Sequence, residues 1–180
     1  FHHLSPNEGL SQGTNAFVYQ DSKGFVWLSS TDGVNRFDGK TVKIYRAPVV
    51  KGLLDNSIVS TFFEDDKTDL WFSTYEGIHR YVRNEDRFYH YQLKDKKGVK
   101  ITQDYYTFHL DQQQKLWVRT GLGAEGLLHL FDTRTKRDSI LCDSIDGQRI
   151  YPVLDAQKKV SQLVCTYFNS ASKNGIEVID

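Results

Sequence analysis

The residues of this chain best suited to holding a small molecule are short mixtures of aromatic, acidic and amide side chains. They are Thr31 with Asp32, Asp55 with Asn56, Tyr75 with Glu76, and the run Gln103, Asp104, Tyr105 and Tyr106. An aromatic face beside carboxylates and amides suits a sugar, whose C–H face stacks while its hydroxyls make paired hydrogen bonds. Such residues are also common in any surface loop. Metal chemistry is poorly served. His2 and His3 are adjacent and would face opposite sides of a strand, while His79, His90, His109 and His129 are scattered without an HxH or HxxxH spacing. The stretch DSIDG from Asp143 to Gly147 lacks the alternating ligands and terminal Glu of a calcium loop. No metal and no cofactor is expected. Nucleophilic catalysis fares no better, since there is no GxSxG and neither Cys142 nor Cys165 has a His nearby in sequence. The paired acids Asp65 with Asp66 and Glu85 with Asp86 fall in predicted turns, where solvation is the simplest reading.

These side chains must be positioned by strands. Of 180 residues, 10 are Tyr, 11 Phe and 3 Trp, against 3 Pro and no Met, a composition that suits pleated, half-buried strands. One domain is the default at this length. Lys plus Arg equals Asp plus Glu at 23 each, so no global field draws in a phosphate backbone, and nucleic acid is not expected as a partner. The basic runs Lys94 to Lys100 and Arg134 to Arg137 are interrupted by acids or hydroxyls and read as surface loops. No stretch approaches the roughly 20 apolar residues of a membrane helix, so a soluble segment is expected. The start at Phe1 and the end at Asp180, within an apolar alternation, predict a piece trimmed from a longer chain.

Repetition organises the sequence. YQDSKGFVWLSSTDGVNRFDG (Tyr19 to Gly39) recurs as FEDDKTDLWFSTYEGIHRYVR (Phe63 to Arg83) and as HLDQQQKLWVRTGLGAEGLLHLFD (His109 to Asp132). Trp27, Trp71 and Trp117 are 44 and 46 residues apart, and each follows an Asp by six positions: Asp21, Asp65 and Asp111. Gly33, Gly77 and Gly126 come next in the three copies. A fourth, weaker copy reads LDAQKKVSQLV (Leu154 to Val164), with Asp155 lying 44 residues after Asp111 and Ser161 in place of the tryptophan. Four short strands per copy of about 45 residues is the pattern of a β-propeller blade, so the predicted fold is all-β, with about four blades of four antiparallel strands. The predicted blades run 13–48, 56–95, 103–142 and 149–180, with 1–5 as a closing strand that pairs an open edge. In each blade the Trp covers a neighbouring sheet, the Asp carboxylate bonds backbone N–H groups of its hairpin, and the Gly permits positive φ. Residues repeated in every blade build blades.

The opening FHHLSPNEGLSQGTNAFVYQDSKGFVWLSSTDGVNRFDG and its echo SIVSTFFEDDKTDLWFSTYEGIHRY resemble the two-component regulator propeller repeats of the extracytoplasmic region of bacterial hybrid two-component sensor histidine kinases. The resemblance implies a periplasmic, ligand-sensing and protein-contacting module at the N-terminal end of a longer membrane-anchored sensor, responding to oligosaccharides. It implies self-association or further blades as partners, and no enzyme activity in this segment. The rival expectations are a propeller lyase or hydrolase acting on polysaccharide, or a purely structural interaction scaffold.

Overall fold

Each repeated Asp marks a point where the chain reverses between two strands, and the sheets grow outward from these reversals. A computed structural model describes residues 5–11, 15–30, 33–46, 61–121, 126–143, 149–168 and 174–179. The chain divides into two compact units, 1–92 and 93–180. In the first unit, β1 (Asn15–Gln20), β2 (Val26–Ser30), β3 (Gly33–Phe37) and β4 (Val42–Tyr45) form one antiparallel meander. A second follows from β5 (Phe63–Glu64), β6 (Leu70–Thr74), β7 (Gly77–Val82) and β8 (Arg87–Tyr91). The second unit holds a four-stranded meander of β9 (Tyr106–Leu110), β10 (Lys115–Thr120), β11 (Leu127–Asp132) and β12 (Asp138–Asp143). Beside it lies a three-stranded sheet of β13 (Arg149–Leu154), β14 (Val160–Phe168) and β15 (Asn174–Ile179). The protein is all-β, built of antiparallel sheets. Residues 1–4 of the expected closing strand lie outside the described residues.

The tryptophan strands are buried along most of their length, and β6 is buried at every position. That is how a strand behaves when both faces of its sheet are covered. In the first unit the core between the sheets gathers Trp27 and Val34 with Phe62, Leu70, Phe72, Tyr81 and Phe88. Trp27 lies 4.8 Å from the Tyr81 ring and 6.2 Å from Phe62, so its indole joins the two sheets. In the second unit, Leu128, Ile150, Leu163 and Cys165 form the core, with Phe108, Trp117, Cys142 and Val160 packed against it. No disulfide joins Cys142 and Cys165.

The turns explain why the repeat tolerates loss of its first glycine. Gly24 sits at φ 87°, and Thr68, Gln114 and Lys158 hold the same turn position at φ 66°, 67° and 59°. An L-residue there costs roughly 1–2 kcal/mol, and a β-branched one is the poorest fit. The turn is held regardless, by its Asp carboxylate. Thr68→Gly is expected to raise stability by about 0.5–1 kcal/mol, after the entropy that glycine loses on folding. Chemical denaturation of the two proteins measures it, and an unchanged or lower midpoint would contradict the strain.

Gly77 carries no left-handed φ, contrary to the role the repeat suggests for it. A Cβ there would stand 2.2 Å from His90 Nε2 and 2.7 Å from the Tyr91 carbonyl oxygen, so room alone demands glycine. Gly126 is buried and leads into β11.

Candidate functional site

The carboxylate six residues before each tryptophan has two tasks, one per oxygen. Asp21 Oδ1 accepts from the Lys23 and Phe25 N–H groups at 2.9 and 3.0 Å, while Oδ2 accepts from the Trp27 indole at 2.7 Å. Asp65 does the same with Lys67, Asp69 and Trp71 at 2.9, 2.9 and 2.8 Å. Asp111 repeats it with Gln113, Lys115 and Trp117 at 2.8, 2.9 and 3.2 Å. The spacing of six is therefore fixed by a buried carboxylate–indole bond that spans the hairpin. Asp155 keeps only its turn bonds to Gln157 and Lys159, both at 2.9 Å, because Ser161 offers no indole. Asp95 makes an additional copy of the turn, accepting from Lys97 and Val99 at 2.8 Å each. Its signal was present in the sequence, since Asp95-Lys96-Lys97-Gly98 matches Asp21-Ser22-Lys23-Gly24.

A latch closes the first unit over this turn. Arg83, from the turn after β7, donates to Asp21 Oδ2 at 2.9 Å and to the Thr68 carbonyl at 3.0 Å. Glu64 of β5 accepts from the Ser22 N–H and hydroxyl at 2.8 and 2.6 Å and lies 3.5 Å from the Arg83 guanidinium. Burial works to raise the Asp21 pKa, but the bonds from Trp27 and Arg83 outweigh it and hold the carboxyl below its ordinary value.

The paired acids are not simply solvated. Asp65 is buried in its turn bonds. Asp86 accepts from the Tyr45 and Tyr81 hydroxyls at 2.7 and 2.8 Å and pairs with Lys43 of the first sheet. Glu85 accepts from the Tyr89 hydroxyl. Position in a turn concealed these partners, of which Lys43 and Tyr45 come from a strand of the other sheet. Three of the described histidines are placed structurally as well. His79 and His129 bond Thr74 and Thr120 at 3.0 Å each across the β6–β7 and β10–β11 pairs. Burial drives the His79 pKa down to about 3, with His90 stacked on it at 4.7 Å. Among the described residues no three His, Cys, Asp or Glu side chains gather as a metal site.

The expected loop residues separate into three groups. Thr31, Asp32, Asp55 and Asn56 lie outside the described residues. Tyr75 and Glu76 form the tip between β6 and β7, with Tyr75 43% exposed and Glu76 exposed. The Glu76 N–H donates to Thr74 Oγ1 at 3.3 Å, which anchors the tip to a buried position. In the second unit Gln103 is exposed and Asp104 takes φ 63°. Tyr106 opens β9, half-buried and stacked on Phe108 at 6.5 Å. Tyr105 does not belong among them. Its ring is 1% exposed, and its hydroxyl accepts from the Leu93 N–H and donates to the Ile101 carbonyl, both at 2.8 Å. It is a tether for the 93–101 hairpin.

A cavity of about 280 Å³ beside Trp117 had no counterpart in the sequence reading. In the first two copies the indole is flanked by an arginine paired across the next strand: Arg36 at 5.8 Å from Trp27 and Arg80 at 5.7 Å from Trp71. It is also flanked by a tyrosine of the fourth strand, Tyr45 at 6.0 Å and Tyr91 at 5.7 Å. In the third copy, strand pairing puts Leu130 opposite Trp117 and Cys142 opposite Leu128, so both large neighbours are gone. Trp27 and Trp71 are fully buried, whereas Trp117 is only partly so. The signal was legible in GVNRF and GIHRY against GLLHLF, where leucine stands for arginine.

Comparison with known proteins follows the same lines. Residues 52–76 match the two component regulator propeller family, a segment whose described part runs from 61 through the Tyr75–Glu76 tip. Histidine kinase P4 of Formosa agariphila is 46% identical over 46 residues, which is 26% of this chain and 3% of that protein. Among solved structures, the extracellular domain assigned to a hybrid two component system of B. thetaiotaomicron superposes with a TM-score of 0.74 at 19% identity, covering 98% of this chain and 24% of that chain. The extracellular domain assigned to a one component system of the same organism gives 0.71 at 23% identity, over 98% and 25%. At such identities the likeness is one of fold. The chain spans about a quarter of those solved domains. The matched family is a regulator propeller, and both solved neighbours are extracellular domains assigned to one- or two-component systems.

Proposed function

Because the chain carries a repeat of the two-component regulator propeller family, we propose that it is the periplasmic sensing module of a membrane-anchored two-component sensor and that oligosaccharides are its ligands. It acts by contact and shape. Its sheets are blades of a propeller, running 13–48, 56–95, 103–142 and 149–180, in a ring completed by residues 1–5, by further blades or by a second copy. A ligand that prefers one arrangement of such rings shifts the signalling equilibrium by that preference and no more. The observation that carries the reading is the Tyr75–Glu76 tip. An exposed aromatic face beside a carboxylate is held on a hairpin whose base, Thr74 and Gly77, is buried and tightly packed. Gln103 and Tyr106 supply comparable groups on the second unit.

Calorimetry against a panel of oligosaccharides tests this. A member of the panel should bind, and Tyr75→Ala should weaken it about 3- to 10-fold, the worth of one aromatic stacking contact. Unchanged affinity removes Tyr75 from the site. Release of shortened sugar during the same experiment would instead identify a lyase or hydrolase.

A further inference from the structure

We propose that the cavity over Trp117 is a binding site for a carboxylated sugar ring, a uronate, separate from the Tyr75 and Gln103 loops. The assignment rests on the second unit's own geometry and stands whether or not those loops bind sugar.

The argument begins with what the third copy has lost. In the first two copies the indole face is used up by an arginine and a tyrosine. Leu130 and Cys142 replace them, leaving a flat apolar ring, one side packed on the Leu128 core and the other bordering open space. At about 280 Å³ this space is just below the usual range for ligand cavities, roughly 300–1,000 Å³, and suits a single ring. The C–H face of a pyranose is the natural partner of an indole presented this way.

Charge then narrows the class. The far wall is the β13–β14 turn, which contributes Lys158, Lys159 and Val160. The matching positions of the second sheet are Thr68, Asp69 and Leu70, and Asp69 is consumed by Arg80 at 2.5 and 3.0 Å. The fourth copy inverts that charge. Lys158 and Lys159 have no ion-pair partner among the described residues. The one acid in the wall, Asp111, is occupied by three N–H donors. Two exposed lysines lining the same cavity as an indole call for an anion attached to an apolar ring face. The exposed amides of Gln112 and Gln113 at the rim supply donors and acceptors for ring hydroxyls. A bare phosphate would leave the indole unused, and a neutral hexose would leave the lysines unused.

Trp117 reports on its own site, because Trp27 and Trp71 are fully buried. Acrylamide quenching of tryptophan fluorescence in the full chain should fall as galacturonate is added, and should not respond to galactose or inorganic phosphate. Lys158→Gln combined with Lys159→Gln should weaken the galacturonate effect at least about tenfold. The turn should survive this change, since Gln114 holds the equivalent position at φ 67°. Tyr75→Ala should leave the shielding intact, which separates this site from the loop reading. Equal shielding by galactose or by phosphate, shielding that survives loss of both lysines, or no shielding at all overturns the assignment.

Discussion

Asp21→Ala should destabilise the protein by about 3–5 kcal/mol in urea or guanidinium unfolding, the loss expected when one partner of a buried ion pair is removed. The Asp21 side chain is 0% exposed and Arg83 14% exposed, so the arginine would be left facing a space with little water to replace the carboxylate. The same change strips the Trp27 N–H of its acceptor and the turn of two backbone bonds. Asp155→Ala is the internal comparison. That turn has the same backbone bonds but no indole and no arginine, so its loss should cost only about 1 kcal/mol. Asp21→Asn keeps the turn acceptor and isolates the charge, with an expected cost of about 1.5–3 kcal/mol. If Asp21→Ala and Asp155→Ala matched within about 0.5 kcal/mol, the latch would have no energetic standing.

Gly33→Ala should cost about 2–5 kcal/mol by the same measurement, combining left-handed backbone strain with overpacking. Gly33 sits at φ 127°, and a Cβ on it would lie 2.1 Å from the Tyr45 carbonyl oxygen and 3.2 Å from Arg46 Cα. Backbone of β4 cannot step aside without breaking its pairing to β3. Gly24→Ala is the contrast, since at φ 87° it meets nothing within 4 Å and should lose only the roughly 1–2 kcal/mol of backbone strain. Equal losses at the two glycines would mean that the close approach to β4 is not a constraint.

Much of the architecture could be read before any coordinates, because the features that build a sheet are local. The Trp-centred strand at Leu70–Thr74 and its turn are contained in a dozen residues, and a period of about 45 made the copies comparable. What escaped depends on partners far along the chain. Tyr105 looked like a loop tyrosine because its neighbours are polar, yet its hydroxyl serves Leu93 and Ile101. Asp86 looked solvated because it sits in a turn, yet Tyr45 and Lys43 of another sheet reach it. The interval between Asp and Trp was visible as a number, while its cause, a carboxylate shared between turn and indole, is a three-dimensional fact. The space beside Trp117 could have been found by asking which copy lacks the arginine and tyrosine that the others carry.

The two halves of the Asp21 bonding pattern are formed on different clocks. Contacts two, four and six residues away close with the hairpin itself, in about 1–10 μs, whereas the Arg83 contact spans 62 residues and must wait for a long loop to shut. A nascent chain whose first sheet has emerged alone therefore owns a finished bend with an unanswered negative charge inside it, and gains its counter-ion only when the second sheet arrives. Folding of this half thereby gains an electrostatic coupling between its two sheets beside the apolar one.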